Sequence, residues 1–313
     1  MKRHKICKII LAILAVFLCV AFYELIGICI TYKKQPTVSD ATIKETQNIM
    51  SVAGRENTER AVIIEKNSQA LLERVRLIQN AKDEIILSTF AFKSDESGKL
   101  ILGALHDAAD RGVHVRILVD GMESWIDMEG NPYFYGLSSH ENVEIKLYNK
   151  ANPLKPWKTM GRMHDKYLIA DGKIYILGGR NTYNYFLGDF PGHKNFDRDV
   201  LVVCDEPQKD NSVNQLWNYF ETIWEQEDCR YFHNSKKLAD RQSVKKAVLE
   251  LQEGYQQYFE VNKEKICDTD YADETFETEK IILLSNPIHT QAKEPVVWYQ
   301  LGELMKNAKE RVK

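Results

Sequence analysis

The stretch MHDKYLIADGKIYILGGRN, Met163 to Asn181, decides how the rest of the chain is read. Apolar runs flank Asp171-Gly172, a dipeptide that marks a tight turn between two strands. A strand that only fills a core has no need of His164 and Lys166. Strand side chains alternate with a period of two, so these two polar groups are expected to share one face of the hairpin. Gly178, Gly179 and Asn181 close the stretch.

Outward from the hairpin, strand and helix patterns alternate. Upstream, 61–65, 84–92, 113–120 and 143–149 read as strands, and 68–82 and 98–112 carry apolar residues at helical spacing. Downstream, 199–203 reads as a strand, 211–226 and 243–263 as helices, 280–285 as a strand and about 295–311 as a last helix. This order predicts an α/β layered fold with helices covering a mixed sheet. There is also an internal echo. LIQNAKDEI (77–85) resembles LMKNAKERV (304–312), each with an apolar strand pattern upstream.

The chain has 313 residues, enough for one large domain or two. Hydrophobic content of 44% and charged content of 28% are ordinary for a globular protein, and a net charge of −3 gives no global signal for nucleic acid. The first 35 residues differ. Lys2, Arg3, Lys5 and Lys8 precede an apolar run from Ile9 to about Tyr32, interrupted by Glu24. A bilayer core needs ~20 apolar residues, whereas a cleaved signal peptide has a core of ~7–15 and a small-residue cleavage site. The run is therefore read as an uncleaved anchor. Basic residues are denser before the span than after it, where Lys33 and Lys34 stand, which predicts a cytoplasmic amino terminus and a cell-membrane protein with its remaining residues on the outer side. Residues 36–58 are polar and lack an apolar period, so they read as a linker. Six scattered cysteines show no C-x-x-C pairing, and neither a metal site nor a disulfide framework is expected.

The spacing His164-x-Lys166, four residues, Asp171, six residues, Gly178-Gly179-x-Asn181 closely resembles the signature of the phospholipase D superfamily, and the wider text GGRNTYNYFLGD…NFDRDVLVV looks most like bacterial cardiolipin synthases of the minor, C-type branch. The resemblance covers about residues 55–313. It implies a phospholipase D-like layered fold and a phosphatidyltransferase that needs no cofactor and works through a phosphohistidine. A phosphodiester resists attack because it is an anion, so a metal-free enzyme needs a nucleophile, cations on the non-bridging oxygens and an acid for the leaving group. His164 supplies the nucleophile, Lys166 neutralises the phosphoryl oxygens and Asn181 donates to them. Gly178 and Gly179 let the backbone pass close to a ligand. Asp171 is given a turn and orientation role. A carboxylate on the other imidazole nitrogen sets the tautomer, and Asp197 is preferred to Asp199 for that place.

No acidic residue stands between Glu144 and His164, while Lys146, Lys150, Lys155, Lys158 and Arg162 do. Lys155, Lys158 and Arg162 are read as a positive funnel for phospholipid headgroups, against the plainer reading of a solvated basic loop. MESWIDMEGNPYFYGL (122–137) is read either as an aromatic lip or as packing on the fold. His106, His114, His140, His193, His233 and His289 lack a following x-Lys and are read as surface or structural residues.

Members of the superfamily normally carry two such motifs, and this chain has one. The expected division is an anchor at 1–35, a linker at 36–58, a motif-bearing half at 59–275 and the start of a second, truncated half at 276–313. Either that half is missing or two chains pair as a homodimer to supply both histidines. The leading reading is a membrane-anchored phosphatidyltransferase acting on a phosphatidylglycerol-like lipid. Its alternatives are a phosphodiesterase of the same superfamily that hydrolyses phospholipid, less readily nucleic acid, and a non-catalytic lipid-binding membrane protein.

Overall fold

A computed structural model of the chain describes residues 2–51, 59–233 and 235–308. Helices α1 (Lys2–Tyr32) and α2 (Asp40–Ser51) precede strand β1 (Glu59–Ile64). Then come α3 (Asn67–Asn80), β2 (Glu84–Thr89), α4 (Glu96–Asp110), β3 (His114–Asp120), α5 (Glu123–Met128), α6 (Pro132–Ser138) and β4 (Val143–Tyr148). The hairpin β5 (Tyr167–Ala170) and β6 (Ile174–Gly178) leads to β7 (Asp199–Cys204), α7 (Ser212–Trp224), β8 (Cys229–Tyr231), α8 (Gln242–Ile266), β9 (Phe276–Glu277) and α9 (Val296–Asn307).

These elements form two compact units. One gathers Met1–Ser51, Ala151–Arg162 and Leu284–Lys313, and the other gathers Val52–Lys150 and Met163–Leu283. The loop 151–162 thus groups with the amino-terminal helices, although it lies inside the other unit's sequence.

The larger unit is built on one mixed sheet with strand order β8-β4-β3-β2-β5-β6-β7-β1-β9 among the described residues. β2, β3 and β4 run parallel, with Leu87 opposite Ile117 and Ile117 opposite Ile145. The remaining pairings are antiparallel. Alternation along the strands gives the sheet two different faces. Ile85, Leu87, Val115, Ile117, Val119, Ile145, Leu168, Ile176 and Leu201 belong to the main apolar core, where α3, α4, α6 and α8 pack together. The opposite register carries charge. Arg116 bonds Glu84 and, from α7, Glu221, and its guanidinium lies over the Phe220 ring. Buried Glu59 accepts from Ser212 Oγ and Val213 N, which places a carboxylate at the amino end of α7. The layered α/β architecture expected from the sequence is present.

In the smaller unit, α1 contains one segment, His4–Tyr32, long and apolar enough to cross a membrane. Residues 36–58 are not featureless, as their lack of an apolar period suggested. α2 forms there because Ser39 Oγ accepts from Thr42 N and so caps the first turn. Residues 52–58 of that stretch lie outside the described residues.

The strand expected at 280–285 is absent. A strand needs a partner, and the outer edge of β1 is paired over only two residues by β9 before the chain leaves it. Leu283 N instead donates to the Gln215 side chain. The echo survives at its helix ends. α3 and α9 both end in Asn-Ala, with Ala81 and Ala308 extended at the cap (ψ 138° and 127°). Asn80 Nδ2 donates to the carbonyl of Arg76, and Asn307 Nδ2 does the same to Glu303, each at 2.8 Å. Residues 309–312 of the echo lie outside the described residues.

Candidate active site

The hairpin turn is made as its dipeptide predicts. Asp171 and Gly172 both have positive φ, 52° and 60°, and Lys173 N donates to the Ala170 carbonyl. The Asp171 carboxylate then accepts three backbone N–H groups from the start of β2: Asp83 and Glu84 on Oδ1, Lys82 on Oδ2. Asp171 therefore locks β5 onto β2 at the end of the strands away from His164.

His164 and Lys166 do not lie on the strand itself. β5 begins at Tyr167, and the segment before it is held by Gly178 N, which donates to the Lys166 carbonyl, and by side chains. Met163 N donates to Asp120 Oδ2 at 3.1 Å. His164 is consequently exposed while Lys166 is buried, which corrects the simple picture of two polar residues on one strand face. They still meet at one place. The His164 ring lies 4.7 Å from the Phe90 ring, and Lys166 Nζ sits 5.3 Å over the same ring. Lys166 Nζ also donates to the His164 carbonyl at 2.6 Å.

Phe90 follows β2, and its neighbours reach the last motif residue. Ala91 N donates to Asn181 Oδ1, Thr182 N to the Ala91 carbonyl and Lys93 N to the Thr182 carbonyl. With Oδ1 engaged, the remaining hydrogen-bonding group of the Asn181 side chain is its Nδ2 amide. His164, Lys166 and Asn181 are thereby tied to one short segment, Phe90 to Lys93.

The two motif glycines have a reason the sequence did not show. A Cβ on Gly178 would lie 2.0 Å from Asp199 Oδ1, and one on Gly179 would lie 2.0 Å from Asp197 Oδ2. They make room for two carboxylates. Asp199 is buried and pairs with Arg74 at 2.9 Å and Arg180 at 3.3 Å, so it serves the framework. Asp197 is exposed, accepts from Arg198 N and lies against Gly179.

Electrostatics separates the two motif bases. Burial pushes the Lys166 ammonium down to about 8, against the pull of the Asp165 and Asp197 carboxylates. Although the residue is largely exposed, the partial burial of its ring beside Phe90 and the Lys166 charge hold the His164 imidazole below its ordinary value, while Asp165 and Asp120 pull the other way. Asp197 thus acts on Lys166, and the carboxylates acting on His164 are Asp165 and Asp120. A neutral imidazole beside a mostly protonated ammonium suits attack on an anion.

Asp120, Asp165, Phe90 and Tyr219 are members of this site that the motif did not announce. Asp120 is 0% exposed and accepts from Met122, Glu123 and Met163 N. Tyr219 OH donates to Asp165 Oδ2 at 2.9 Å. A signal for Asp120 and Phe90 did exist, because both stand at the carboxyl ends of parallel strands, where open α/β sheets bind ligands.

The basic residues divide. Lys146 on β4 donates to the Trp224 carbonyl and Lys150 lies over the Trp125 ring. Lys155, Lys158 and Arg162 belong to the other unit. Within 122–137, Met128, Phe134, Tyr135 and Leu137 are core residues, while Trp125 and Ile126 are exposed. Among the described residues no cluster of His, Cys, Asp and Glu is arranged to hold a metal.

Comparison with known proteins adds three findings. Residues 75–224 match a family described as "Cardiolipin synthase, PLD-like domain". Among curated proteins, an uncharacterized protein of Helicobacter pylori is 33% identical over 181 residues, covering 53% of this chain and 35% of its own length. Cardiolipin synthase C of Escherichia coli is 29% identical over 154 residues, covering 45% and 31%. The chain spans about a third of the length of these curated relatives. Among solved structures, NucT from Helicobacter pylori aligns with a TM-score of 0.43 and 18% identity, over 56% of this chain and 99% of that one.

Proposed function

The chain belongs to the phospholipase D superfamily, and on that premise we propose that it transfers a phosphatidyl group, in the manner of a cardiolipin synthase, through a phosphohistidine at His164. An imidazole nitrogen bonds to phosphorus as the bond to the leaving alkoxide breaks, and the alkoxide takes a proton from an acid. An acceptor alcohol then attacks phosphorus, loses its proton and releases the imidazole. Lys166 and the Asn181 amide neutralise charge on the non-bridging oxygens, where it grows in the transition state. Asp171, Gly178 and Gly179 shape the frame, and Asp197 tunes the Lys166 ammonium and the phosphoryl site. A second H-x-K site, from a second copy of this chain or from a second half, supplies the acid. The substrate is a phosphatidylglycerol-like lipid, gathered by Lys155, Lys158 and Arg162. α1 is the membrane anchor, with its basic amino-terminal flank in the cytoplasm and the site on the outer side.

The observation that carries this reading is Lys166. It is 5% exposed, beside His164 on the Phe90 ring, and forms no ion pair among the described residues. A buried cation that Asp165 and Asp197 attract without forming an ion pair is placed to receive an anion. The test uses the full chain in nanodiscs with phosphatidylglycerol labelled at phosphorus. The expected result is an acid-labile, base-stable label on the peptide containing His164, and none in the His164→Asn form. Undiminished turnover by that variant would overturn the assignment. Products formed with a second lipid rather than with water distinguish transfer from hydrolysis.

A further inference from the structure

We propose that the loop 151–162 is a membrane-interfacial element, seated where headgroups meet acyl chains in the bilayer that α1 crosses. The proposal rests on the reading of α1 as a membrane span. It concerns only the smaller unit, within which the loop and the helix pack together.

The contact is close. A Cβ added to Gly27 would lie 2.5 Å from Pro156 Cγ, so only glycine lets the loop approach the helix there. One turn earlier on the same face, Tyr23 OH donates to the Leu154 carbonyl at 3.4 Å. The loop therefore meets α1 at a fixed level, and that level translates into depth. The candidate span, His4–Tyr32, has 29 residues with Lys5 and Lys8 at its inner end, which at the helical rise is about 43 Å. A hydrocarbon core is ~30 Å thick, and the interfacial layers bring the total to ~40–45 Å. Centred in a bilayer, the helix leaves roughly its last four or five residues in the outer interfacial layer. Gly27 falls at the boundary, and Pro156 with it.

What the loop presents at that level fits a lipid surface. Leu154 is 77% exposed, Met160 58% and Trp157 39%. Single exposed apolar residues are ordinary on a soluble protein. Three within one short loop that is docked on an apolar span are positioned to enter lipid. Lys155 and Lys158 are interleaved with them, and no acidic residue stands in the loop. Tryptophan with lysine is the pairing that partitions to the headgroup boundary, with the ring at the boundary and the ammonium reaching outward. Lysines without acids add preference for anionic headgroups.

The experiment places a polarity-sensitive fluorescent amino acid at Leu14, Leu154, Met160 or Val261, one position at a time. The full chain is reconstituted in phosphatidylcholine–phosphatidylglycerol nanodiscs carrying nitroxide lipids, labelled either near the headgroup or near the chain end. Leu14 lies mid-span and Val261 is an exposed residue of α8 in the other unit. The expected result is quenching at 154 and 160 that is at least twofold stronger with the shallow nitroxide than with the deep one. The label at 14 should show the reverse preference, and the label at 261 should show neither. Quenching at 14 with none at 154 and 160 overturns the interfacial loop and leaves the anchor standing. No quenching at 14 overturns the anchor and the loop together. Equal quenching at 154 and 261 reports general adsorption and also overturns the proposal.

Discussion

Lys166 and Arg180 are both buried cations of the larger unit, and the fold treats them oppositely. Arg180 is saturated. Its guanidinium donates to Asn67 Oδ1 and to the carbonyls of Ile64 and Glu65, and it pairs with Asp199, which also holds Arg74. Lys166 has the Phe90 ring and a single carbonyl, that of His164. Burial penalises an ion, and the penalty is offset only where donors and charge are both matched. A matched cation belongs to the framework. An unmatched one costs stability until a ligand supplies the missing anion.

The contrast can be broken most forcefully at the framework end. Removing Arg180 leaves Asp199 with Arg74 alone and strips Asn67 Oδ1 and the carbonyls of Ile64 and Glu65 of their donor, and losses of about 1–3 kcal/mol for each unsatisfied buried group sum to about 3–5 kcal/mol. Arg180→Met is expected to lower stability by that amount, measured by denaturant unfolding of the full chain in detergent. A loss below about 1 kcal/mol would place Arg180 among ordinary exposed charges, where that is the upper end of what a pair contributes.

Lys166→Met should behave in the opposite sense. Turnover of phosphatidylglycerol should fall roughly 10²–10³-fold, the usual cost of one preorganised transition-state donor. The same change should raise Tm, because it removes a buried ammonium with no ion pair. Lower Tm together with lost turnover would make Lys166 a framework residue like Arg180, and the contrast would collapse.

The pH dependence sharpens the same point with a smaller effect. Lys166 titrates near about 8 in the folded protein and near ~10.4 when unfolded. Between those values the unfolded chain binds more protons, so stability rises with pH in that window. Activity does the reverse, since the ammonium is lost. The kcat/KM profile should fall above about pH 8, and both trends should vanish in Lys166→Met, read from matched unfolding and turnover profiles.

Which parts of this were legible in the sequence follows from how local the physics is. The hairpin was readable because Asp-Gly fixes its own turn and the flanking runs need only each other. The helices of the larger unit were readable from an apolar period that one core face imposes. Residues 280–285 have the composition of a strand but join no neighbouring strand among the described residues, and pairing is not a local property. α2 escaped notice because it is started by the Ser39 cap rather than by an apolar stripe. The site divided in the same way. His164, Lys166 and Asn181 stand at fixed spacing, whereas Asp120 comes to the site through the fold, where it accepts from Met163 N. The glycines were legible as a motif, but the carboxylates that require them come from residues after the motif.

The smallest expected effect is at Asp171, the motif residue that the geometry assigns to the frame rather than to charge on phosphorus. Its carboxylate takes three N–H groups at the start of β2, and its φ of 52° lies in the left-handed region. Asn tolerates that region about as well as Asp, so Asp171→Asn leaves the turn unstrained. What changes is the acceptor count. An amide offers one oxygen, so at least one of the three N–H groups meets an NH2 instead. An N–H near the surface can turn to water, and the loss should stay near ~1 kcal/mol, the typical net worth of one hydrogen bond. Lys166 and His164 lie at the far end of β5, so kcat and KM measured on the folded fraction should match the unmodified chain. A fall in kcat comparable to that of Lys166→Met, with stability unchanged, would mean that Asp171 shares in the chemistry. The division between framework and reactive charge would then run through the motif differently from the way Arg180 and Lys166 draw it.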